Sequence, residues 1–359
     1  WLLAICVIGA AVRLGRLGDY DNPYYTAAVA SMLESAHNFL FAAFDPAGTV
    51  TVDKPPAAFW LQAVPAAIFG VKTWSVTLPQ VIMGMVSIPV IYWLVGSVYG
   101  RVSGVTAAML MGVLPASVVI DSRNEPDALV VFALLLGSVA IFKAVRTWNF
   151  RWNLLFALLM GVAFNAKMFV GFVPLPAFIL FYLIAANRPM TQVLLRAILT
   201  VCMVLFVSFS WIGIVAVTPA GERPYVGSTQ DNSIWTLVFE YNGLDRFTSF
   251  IGPSRPHVPA PSRNRAGPPP AALDVLRDYP PIGPQITVDG VADEGVMGLL
   301  KNPLANQLGW LLPVGLVTLV MALIPVFPDE VYRKPGRLIK NLRVNSRAAF
   351  GVLWTGWLL

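Results

Sequence analysis

The chain of 359 residues is 57% hydrophobic and only 12% charged, and it contains 11 tryptophans. It has too little polar surface to cover itself as a soluble globule, so the composition predicts a polytopic membrane protein. The net charge of +6 does not indicate nucleic-acid binding, because the 25 basic residues are spread through short loops between apolar runs. Cys6 and Cys202 lie in separate apolar runs, so no disulfide framework can be argued.

Nine apolar runs are candidates for membrane-spanning helices, each of which needs about 20 mostly apolar residues. They are residues 1–12, 77–98, 104–120, 127–145, 153–166, 169–186, 197–217, 306–326 and 348–359. The first and last runs are cut by the ends of the chain, so we expect residues 1–359 to be the transmembrane domain of a longer protein.

The charges between these runs predict the orientation of the chain at the plasma membrane. With the loop at residues 13–76 outside, the cytoplasmic side carries twelve basic residues and only two acids, Asp329 and Glu330. All remaining acids fall outside, which agrees with the tendency of short cytoplasmic loops to be positively charged. We therefore expect residues 13–76 and 218–305 to form two long extracytoplasmic loops.

The two outer loops differ in character. In the first loop, Pro23 suits the first turn of a helix, and residues 24–41 and 56–69 are expected to form helices on the membrane surface. In the second loop, residues 252–270 are rich in Pro, Ser, Arg and Gly and are expected to be mobile. No internal repeat typical of an inverted-repeat transporter is found.

The first candidate for chemistry follows the first span, where residues 18–25 read GDYDNPYY. Asp21 places a carboxylate beside a helix-starting proline, and Tyr24 and Tyr25 are aromatics suited to a membrane interface. Asp21 is equally suited to cap the helix, a role worth about 1 kcal/mol. The two roles are compatible, because a capping carboxylate would be held in a fixed direction.

Asp53 and Lys54 precede two successive prolines, which hold the backbone extended and then allow a helix to start. The prolines therefore fix the direction of Lys54, whose compact ammonium suits one oxygen of a phosphate at the membrane surface. The alternative is a solvated Asp–Lys pair that closes a turn.

Residues 122–127 read SRNEPD at the outer end of the third span. Asp127 would lie at or just below the interface, where a carboxylate in hydrocarbon costs roughly 2.5 to 3.5 kcal/mol, so we expect it to face a polar cavity. It could instead cap the fourth span. Arg123 points toward the same cavity and could bind a carboxylate or a phosphate through two parallel hydrogen bonds.

Three further polar elements return to the outer side. Lys167 lies in the turn between the fifth and sixth spans, residues 223–225 read RPY, and residues 241–243 read YNG. Snorkelling, turn and cap roles are the ordinary explanations for such residues. The two histidines, His37 and His257, lie in different loops, which argues against a histidine-based metal site or a Ser-His-Asp triad.

These pieces together resemble the GT-C glycosyltransferases. The motifs are DN at residues 21–22, KPP about thirty residues later, SR followed by Asp127, and Lys167 between two spans. The closest resemblance is to the superfamily of protein O-mannosyltransferases and aminoarabinose (lipid A) transferases, in particular to bacterial members with DKPP. No single motif is decisive, and the order of the motifs along nearly the whole chain carries the resemblance.

The resemblance implies an all-α GT-C helical bundle with an outer cavity that uses a sugar, mannose- or arabinose-like, on a polyprenyl monophosphate. It implies that Asp21 is the catalytic base and that Asp127 is a second acid in the cavity. The expected ligands of the lipid phosphate are Lys54, Arg123, Lys167 and Arg223. The expected lining of the substrate cavity is Asp53, Asn22, Tyr24, Tyr25, Tyr225 and Asn242. Because Asn22 stands where many relatives have Glu, a divalent cation is possible but is not predicted.

Transfer would be a single displacement that inverts the anomeric centre, with a glycan, a lipid or a secreted protein as the acceptor. Two alternatives stay open. A transporter or lipid flippase predicts ionisable residues near mid-span and helices broken at the membrane centre. A non-catalytic scaffold predicts tolerance to Lys54→Ala.

Overall fold

A computed structural model describes residues 1–244, in which eleven α-helices are joined by short loops. In chain order they are α1 (Leu2–Leu14), α2 (Pro23–Met32), α3 (Ala36–Phe41), α4 (Ala57–Phe69), α5 (Thr73–Tyr99), α6 (Arg101–Val113), α7 (Pro115–Asp121), α8 (Asp127–Thr147), α9 (Phe150–Lys167), α10 (Leu175–Ala185) and α11 (Met190–Val217). A 3-10 turn (Met168–Phe172) follows α9, and a π-helical segment (Thr236–Leu244) ends the described part. No β-strand is present within residues 1–244, which confirms the all-α class.

Within the described residues, four helices are long and apolar enough to cross a membrane. They are α5, α8, α9 together with its 3-10 turn, and α11. A fifth span results if α6 and α7 are counted as one bent helix. These helices confirm a multi-pass membrane protein. The predicted spans at residues 306–326 and 348–359, and the predicted mobile run at 252–270, lie outside the described residues.

One predicted span is interrupted, whereas the first predicted span agrees in length with its helix. Residues 1–12 correspond to α1, which has 13 residues, and residues 169–186 are divided between the 3-10 turn and α10, which has 11 residues. The Met168 backbone adopts φ of 50° and ends α9 directly after Lys167, and Pro174 lies just before the first residue of α10. Gly171 lets the turn pack tightly on α9, because a Cβ there would lie 2.7 Å from the carbonyl carbon of Ala163. The length prediction failed here because hydropathy does not register a backbone break inside an apolar run.

The third predicted span, residues 104–120, is bent by 57° between α6 and α7. Pro115 has no N–H, so the carbonyl of Met111 loses its helical partner there. Arg13 of α1 replaces it, because its Nη2 donates to the carbonyl of Met111 and its Nη1 donates to that of Gly112, each at 2.9 Å. The sequence prediction placed Arg13 in the outer loop, whereas it lies in α1 and is fully buried.

The predicted surface helix at residues 24–41 is two helices. Ser35 separates α2 from α3, because its Oγ accepts a hydrogen bond from Asn38 N at 3.0 Å and caps α3. Helix α2 then packs on α4, with Val29 and Phe59 both fully buried in one apolar cluster. The second predicted surface helix corresponds to α4, and Pro56 precedes its first residue as the prolines suggested.

The first long loop and the described start of the second are joined by backbone hydrogen bonds. Tyr225 N donates to Thr49 O, and Thr51 N donates to Tyr225 O, both at 2.8 Å. The ring of Tyr225 enters the same apolar cluster as Tyr25 and Phe59. The described start of the second loop is therefore built onto the first loop, and both cover the same end of the helical bundle.

Candidate active site

Lys54 is buried, with 3% of its surface exposed. Its Nζ forms an ion pair with the Asp53 carboxylate and lies 5.4 Å from the centre of the Tyr241 ring. The prolines at 55 and 56 direct the chain from this pair straight into α4. A solvated pair that closes a turn, the alternative from the sequence, is wrong because the ammonium is removed from solvent.

Three polar side chains surround Asp53. Tyr25 Oη donates to Asp53 Oδ1 at 3.5 Å, and Tyr241 Oη donates to Oδ2 at 3.4 Å. Asn242 Nδ2 donates to the Asp53 carbonyl at 3.1 Å. Burial, followed by the negative charge of Asp53, raises the pKa of Tyr25 well above its usual range. The Tyr25 phenol therefore stays protonated and remains a donor at physiological pH.

Tyr24 completes this group. Its ring stacks on Phe44 with centroids 4.7 Å apart and lies 5.3 Å from the ring of Tyr25. Burial and the charge of Asp53 also raise the pKa of Tyr24. The structure thus brings five predicted site residues together, and we call them with Tyr241 the lysine cluster. Its members are Lys54, Asp53, Tyr24, Tyr25, Asn242 and Tyr241.

Asp21 is not the helix cap. The cap of α2 is Asn22, whose Oδ1 accepts a hydrogen bond from Tyr24 N at 3.1 Å. Asp21 Oδ2 instead accepts a hydrogen bond from Thr26 Oγ1 at 2.6 Å. The carboxylate is therefore held by a side chain from the first turns of the helix that it precedes.

Asn124 is the residue that sequence reasoning missed. It is fully buried in the turn between α7 and α8 and contacts the Asp21 segment through Asn22 and Thr26. Its backbone carbonyl accepts a hydrogen bond from Gln62 Nε2 of α4 at 2.8 Å. A neutral amide beside two charged residues gave no signal in the sequence. We call Asp21, Asn22, Thr26 and Asn124 the aspartate cluster.

Asp127 and Lys167 form a close ion pair. Lys167 Nζ lies 2.6 Å from Asp127 Oδ1 and 2.7 Å from Oδ2. Asp127 is the first residue of α8 and follows the capping position, which Pro126 occupies, so the cap role is wrong. Lys167 does not simply reach for solvent, because its ammonium is bound by the carboxylate. The two predicted cavity residues therefore meet at the ends of α8 and α9.

Arg123 and Arg223 make different contacts from those expected of phosphate ligands. The Arg123 guanidinium lies 4.4 Å from the Tyr20 ring centre and 3.8 Å from Glu125 Oε1. Arg223 donates four hydrogen bonds inside its own loop, to the Thr218 and Pro224 carbonyls and twice to Asn232. Burial lowers the pKa of Arg223.

Tyr225 also serves its loop. Its Oη donates to the Thr229 carbonyl at 3.2 Å, and burial raises its pKa. The hydrogen bonds of the Arg223 and Tyr225 side chains thus hold the segment at residues 218–232 in place. Within residues 1–244, no group of three or more His, Cys, Asp or Glu side chains is arranged to hold a metal ion.

Comparisons with known proteins find a family match and two similar bacterial proteins. The pattern of the family described as "Dolichyl-phosphate-mannose-protein mannosyltransferase" matches residues 53–212. Two Bacillus subtilis proteins are similar: "Putative mannosyltransferase YkcB" is 43% identical over 69% of this chain, and "Putative mannosyltransferase YycA" is 35% identical over 87%. The alignments span only 35% and 53% of the lengths of these two relatives.

The fold is also found among solved structures. The crystal structure of the Archaeoglobus fulgidus oligosaccharyltransferase in the apo form superposes with a TM-score of 0.52 and 14% identity. The superposition covers all of this chain and 50% of that protein.

Proposed function

We propose that the chain belongs to the GT-C glycosyltransferases of the protein O-mannosyltransferase and aminoarabinose transferase superfamily, and that the full protein transfers a sugar from a polyprenyl monophosphate. The sugar is mannose- or arabinose-like, and the acceptor is a glycan, a lipid or a secreted protein outside the cytoplasm. The family match and the two relatives named as mannosyltransferases support a lipid-linked sugar donor. Because this chain spans about half of those relatives or less, the roles below are proposed for the complete protein.

The observation that carries the proposal is that two adjacent residues of α2 form hydrogen bonds to the carboxylates of the two clusters. Tyr25 contacts Asp53 of the lysine cluster, and Thr26 contacts Asp21 of the aspartate cluster. Adjacent Cα atoms are about 3.8 Å apart, so a buried cation and an aimed carboxylate flank one short stretch of helix. A leaving phosphate and an attacking hydroxyl need these two groups near one sugar ring.

The reaction follows from these positions. The acceptor hydroxyl attacks the anomeric carbon, Asp21 takes the hydroxyl proton, and the bond between the anomeric carbon and the phosphate oxygen breaks. The electron pair leaves on the phosphate, where Lys54 stabilises the added charge in a site poor in water. A lipid phosphate leaves without being protonated, so one carboxylate is sufficient. Because the reaction is a single displacement, the anomeric centre is inverted.

The two ion pairs have supporting roles. The Asp53 carboxylate holds the Lys54 ammonium in place before the donor arrives, and the donor phosphate then competes with Asp53 for it. Asp127, bound by Lys167, orients the sugar or the acceptor. Arg223 supports the reaction indirectly through the loop that it holds.

The test is to incubate the purified full protein in lipid with a panel of radiolabelled polyprenyl-phosphate sugars. We expect one donor to be consumed, and Lys54→Ala and Asp21→Asn to reduce its consumption at least about 100-fold. Asp19→Asn is the matched control, because Asp19 is exposed and its carboxylate pairs with nearby Arg16. Folded protein that consumes no donor would contradict the proposal.

Two observations favour a transporter, the second candidate. The bent span α6–α7 and the buried Arg13–Asp121 pair are features that such a protein would have. However, all five N–H groups of Arg13 are already bonded, to Asp121, Ser117 and three carbonyls, so no donor is left for a cargo. Movement of a fluorescent polyprenyl phosphate across vesicles without donor consumption would reverse this choice.

A further inference from the structure

We propose that Asn124 and Thr26 are positioning residues that aim one defined oxygen of Asp21 at the acceptor. The inference deepens the proposed transfer reaction and rests on it. It starts from a chain of hydrogen bonds that runs from the backbone of Asn22 through Asn124 and Thr26 to the carboxylate.

The direction of each proton in this chain is fixed by its first member. The backbone N–H of Asn22 can only donate, so the atom of Asn124 that lies 2.6 Å from it must be Oδ1. The amide nitrogen of Asn124 must then face the other way. There it donates to Thr26 Oγ1 at 3.0 Å and to the Asn22 carbonyl at 3.3 Å.

Thr26 Oγ1 therefore accepts one hydrogen bond and can donate one. Its hydroxyl proton points at Asp21 Oδ2, which lies 2.6 Å away and as an ionised carboxylate oxygen can only accept. This distance is typical of a hydrogen bond between a hydroxyl and a carboxylate ion, which is about twice as strong as one between neutral groups.

The bond to Thr26 makes the two oxygens of Asp21 unequal. Oδ2 is occupied, whereas no group among the described residues donates to Oδ1. Oδ1 is the oxygen that takes the proton of the acceptor. Asn124 is itself held by Gln62 of α4 at 2.8 Å, so the aim of Asp21 is set by the packing of α4 against the turn before α8.

The first test measures transfer by the full protein with Thr26 and Asn124 variants. Thr26→Val removes the donor without changing the side-chain shape, and we expect kcat to fall about 10- to 100-fold while the KM for the lipid-linked donor changes little. Thr26→Ser keeps the hydroxyl and should restore kcat to within about threefold of the wild type. A change in both kcat and KM that Thr26→Ser does not avoid would indicate a merely structural role.

Asn124→Asp tests the direction of the protons. The new carboxylate still accepts from Asn22 N, but it also accepts the Thr26 proton and so turns it away from Asp21. We expect kcat to fall at least as far as in Thr26→Val, and the double variant to be no worse than Asn124→Asp alone. Asn149→Asp is the matched control, because Asn149 is a helix cap at the other end of the bundle where Asp serves equally well.

A second measurement does not depend on activity. Unfolding rates of the full protein in SDS are compared for Thr26→Val in the wild type and in Asp21→Ala. If Thr26 holds the Asp21 carboxylate, Thr26→Val should accelerate unfolding in the wild type and have little effect once the carboxylate is absent. Equal effects in both backgrounds would overturn the inference. A wild type that consumes no donor would refute only the transfer reaction, because the unfolding rates still test whether Thr26 holds Asp21.

Discussion

At the scale of single residues, the Lys54–Asp53 pair shows how the site combines stability and binding. Lys54 is almost fully enclosed, so its charge needs a partner when the donor is absent. Tyr25 and Tyr241 donate to Asp53, so the carboxylate retains partners even without the lysine. The two residues are therefore not equally replaceable.

We predict that Asp53→Asn destabilises the full protein more than Lys54→Met does. Asp53→Asn leaves an ammonium buried without its counter-charge, which costs on the order of 3 kcal/mol, whereas Lys54→Met leaves a carboxylate that two phenols still bind. The rates of unfolding in SDS give the comparison, with Asp19→Asn as the exposed control. If Lys54→Met unfolds faster, Asp53 does not depend on its phenol donors in the way described.

The residues of the site were predictable where charge and proline spacing marked them. Asp53 and Lys54 precede two prolines in the sequence, and in the structure the prolines lead directly into α4 as predicted. Asn124 was not predictable, because a neutral amide gains its role only from partners about a hundred residues away in sequence. Arg223 was misleading, since the carbonyls of its own loop take up its donors.

At the scale of elements, the bent span α6–α7 depends on a side chain from α1. Arg13 satisfies the carbonyls left open before Pro115 and pairs with Asp121 at 2.8 Å. Gly84 of α5 makes room, because a Cβ there would overlap the Asp121 carboxylate. The sequence showed Pro115 inside an apolar run, but nothing local linked it to Arg13.

We predict that Arg13→Met destabilises the protein by about 3 to 5 kcal/mol, because Asp121 is left buried without its counter-charge. Adding Asp121→Leu should recover part of this loss, although the carbonyls of Met111 and Gly112 stay unsatisfied. SDS unfolding of the two variants checks the order. A double variant that is worse than Arg13→Met would show that the pair is not the main partner of the bend.

At the scale of the whole molecule, the two ends of the bundle differ in chemistry. The end opposite the clusters carries cations over tryptophan rings: Lys143 Nζ lies 4.4 Å from the Trp152 ring centre, and the Arg196 guanidinium lies 4.1 Å from that of Trp148. Basic residues are typical of the cytoplasmic side of a membrane protein, and tryptophans are typical of both membrane interfaces. This distribution agrees with the orientation expected from the loop charges.

We predict that residues near the clusters are accessible from outside intact cells. In a protein with Cys6 and Cys202 replaced, a membrane-impermeant maleimide should label Glu34→Cys but not Asn187→Cys, and permeabilised cells should allow both to react. Both positions are exposed in loops at opposite ends of the bundle. The opposite labelling pattern would place the clusters on the cytoplasmic side.

The central claim is that Asp21 is the base, and one comparison tests it most directly. Single-turnover transfer from the lipid-linked donor is measured for the full protein with Asp21→Asn and, separately, with Asp127→Asn. We predict that Asp21→Asn lowers the rate at least about 100-fold, whereas Asp127→Asn, which disturbs only the orienting pair with Lys167, retains a measurable fraction. Full transfer by Asp21→Asn together with none by Asp127→Asn would contradict the account and exchange the two roles.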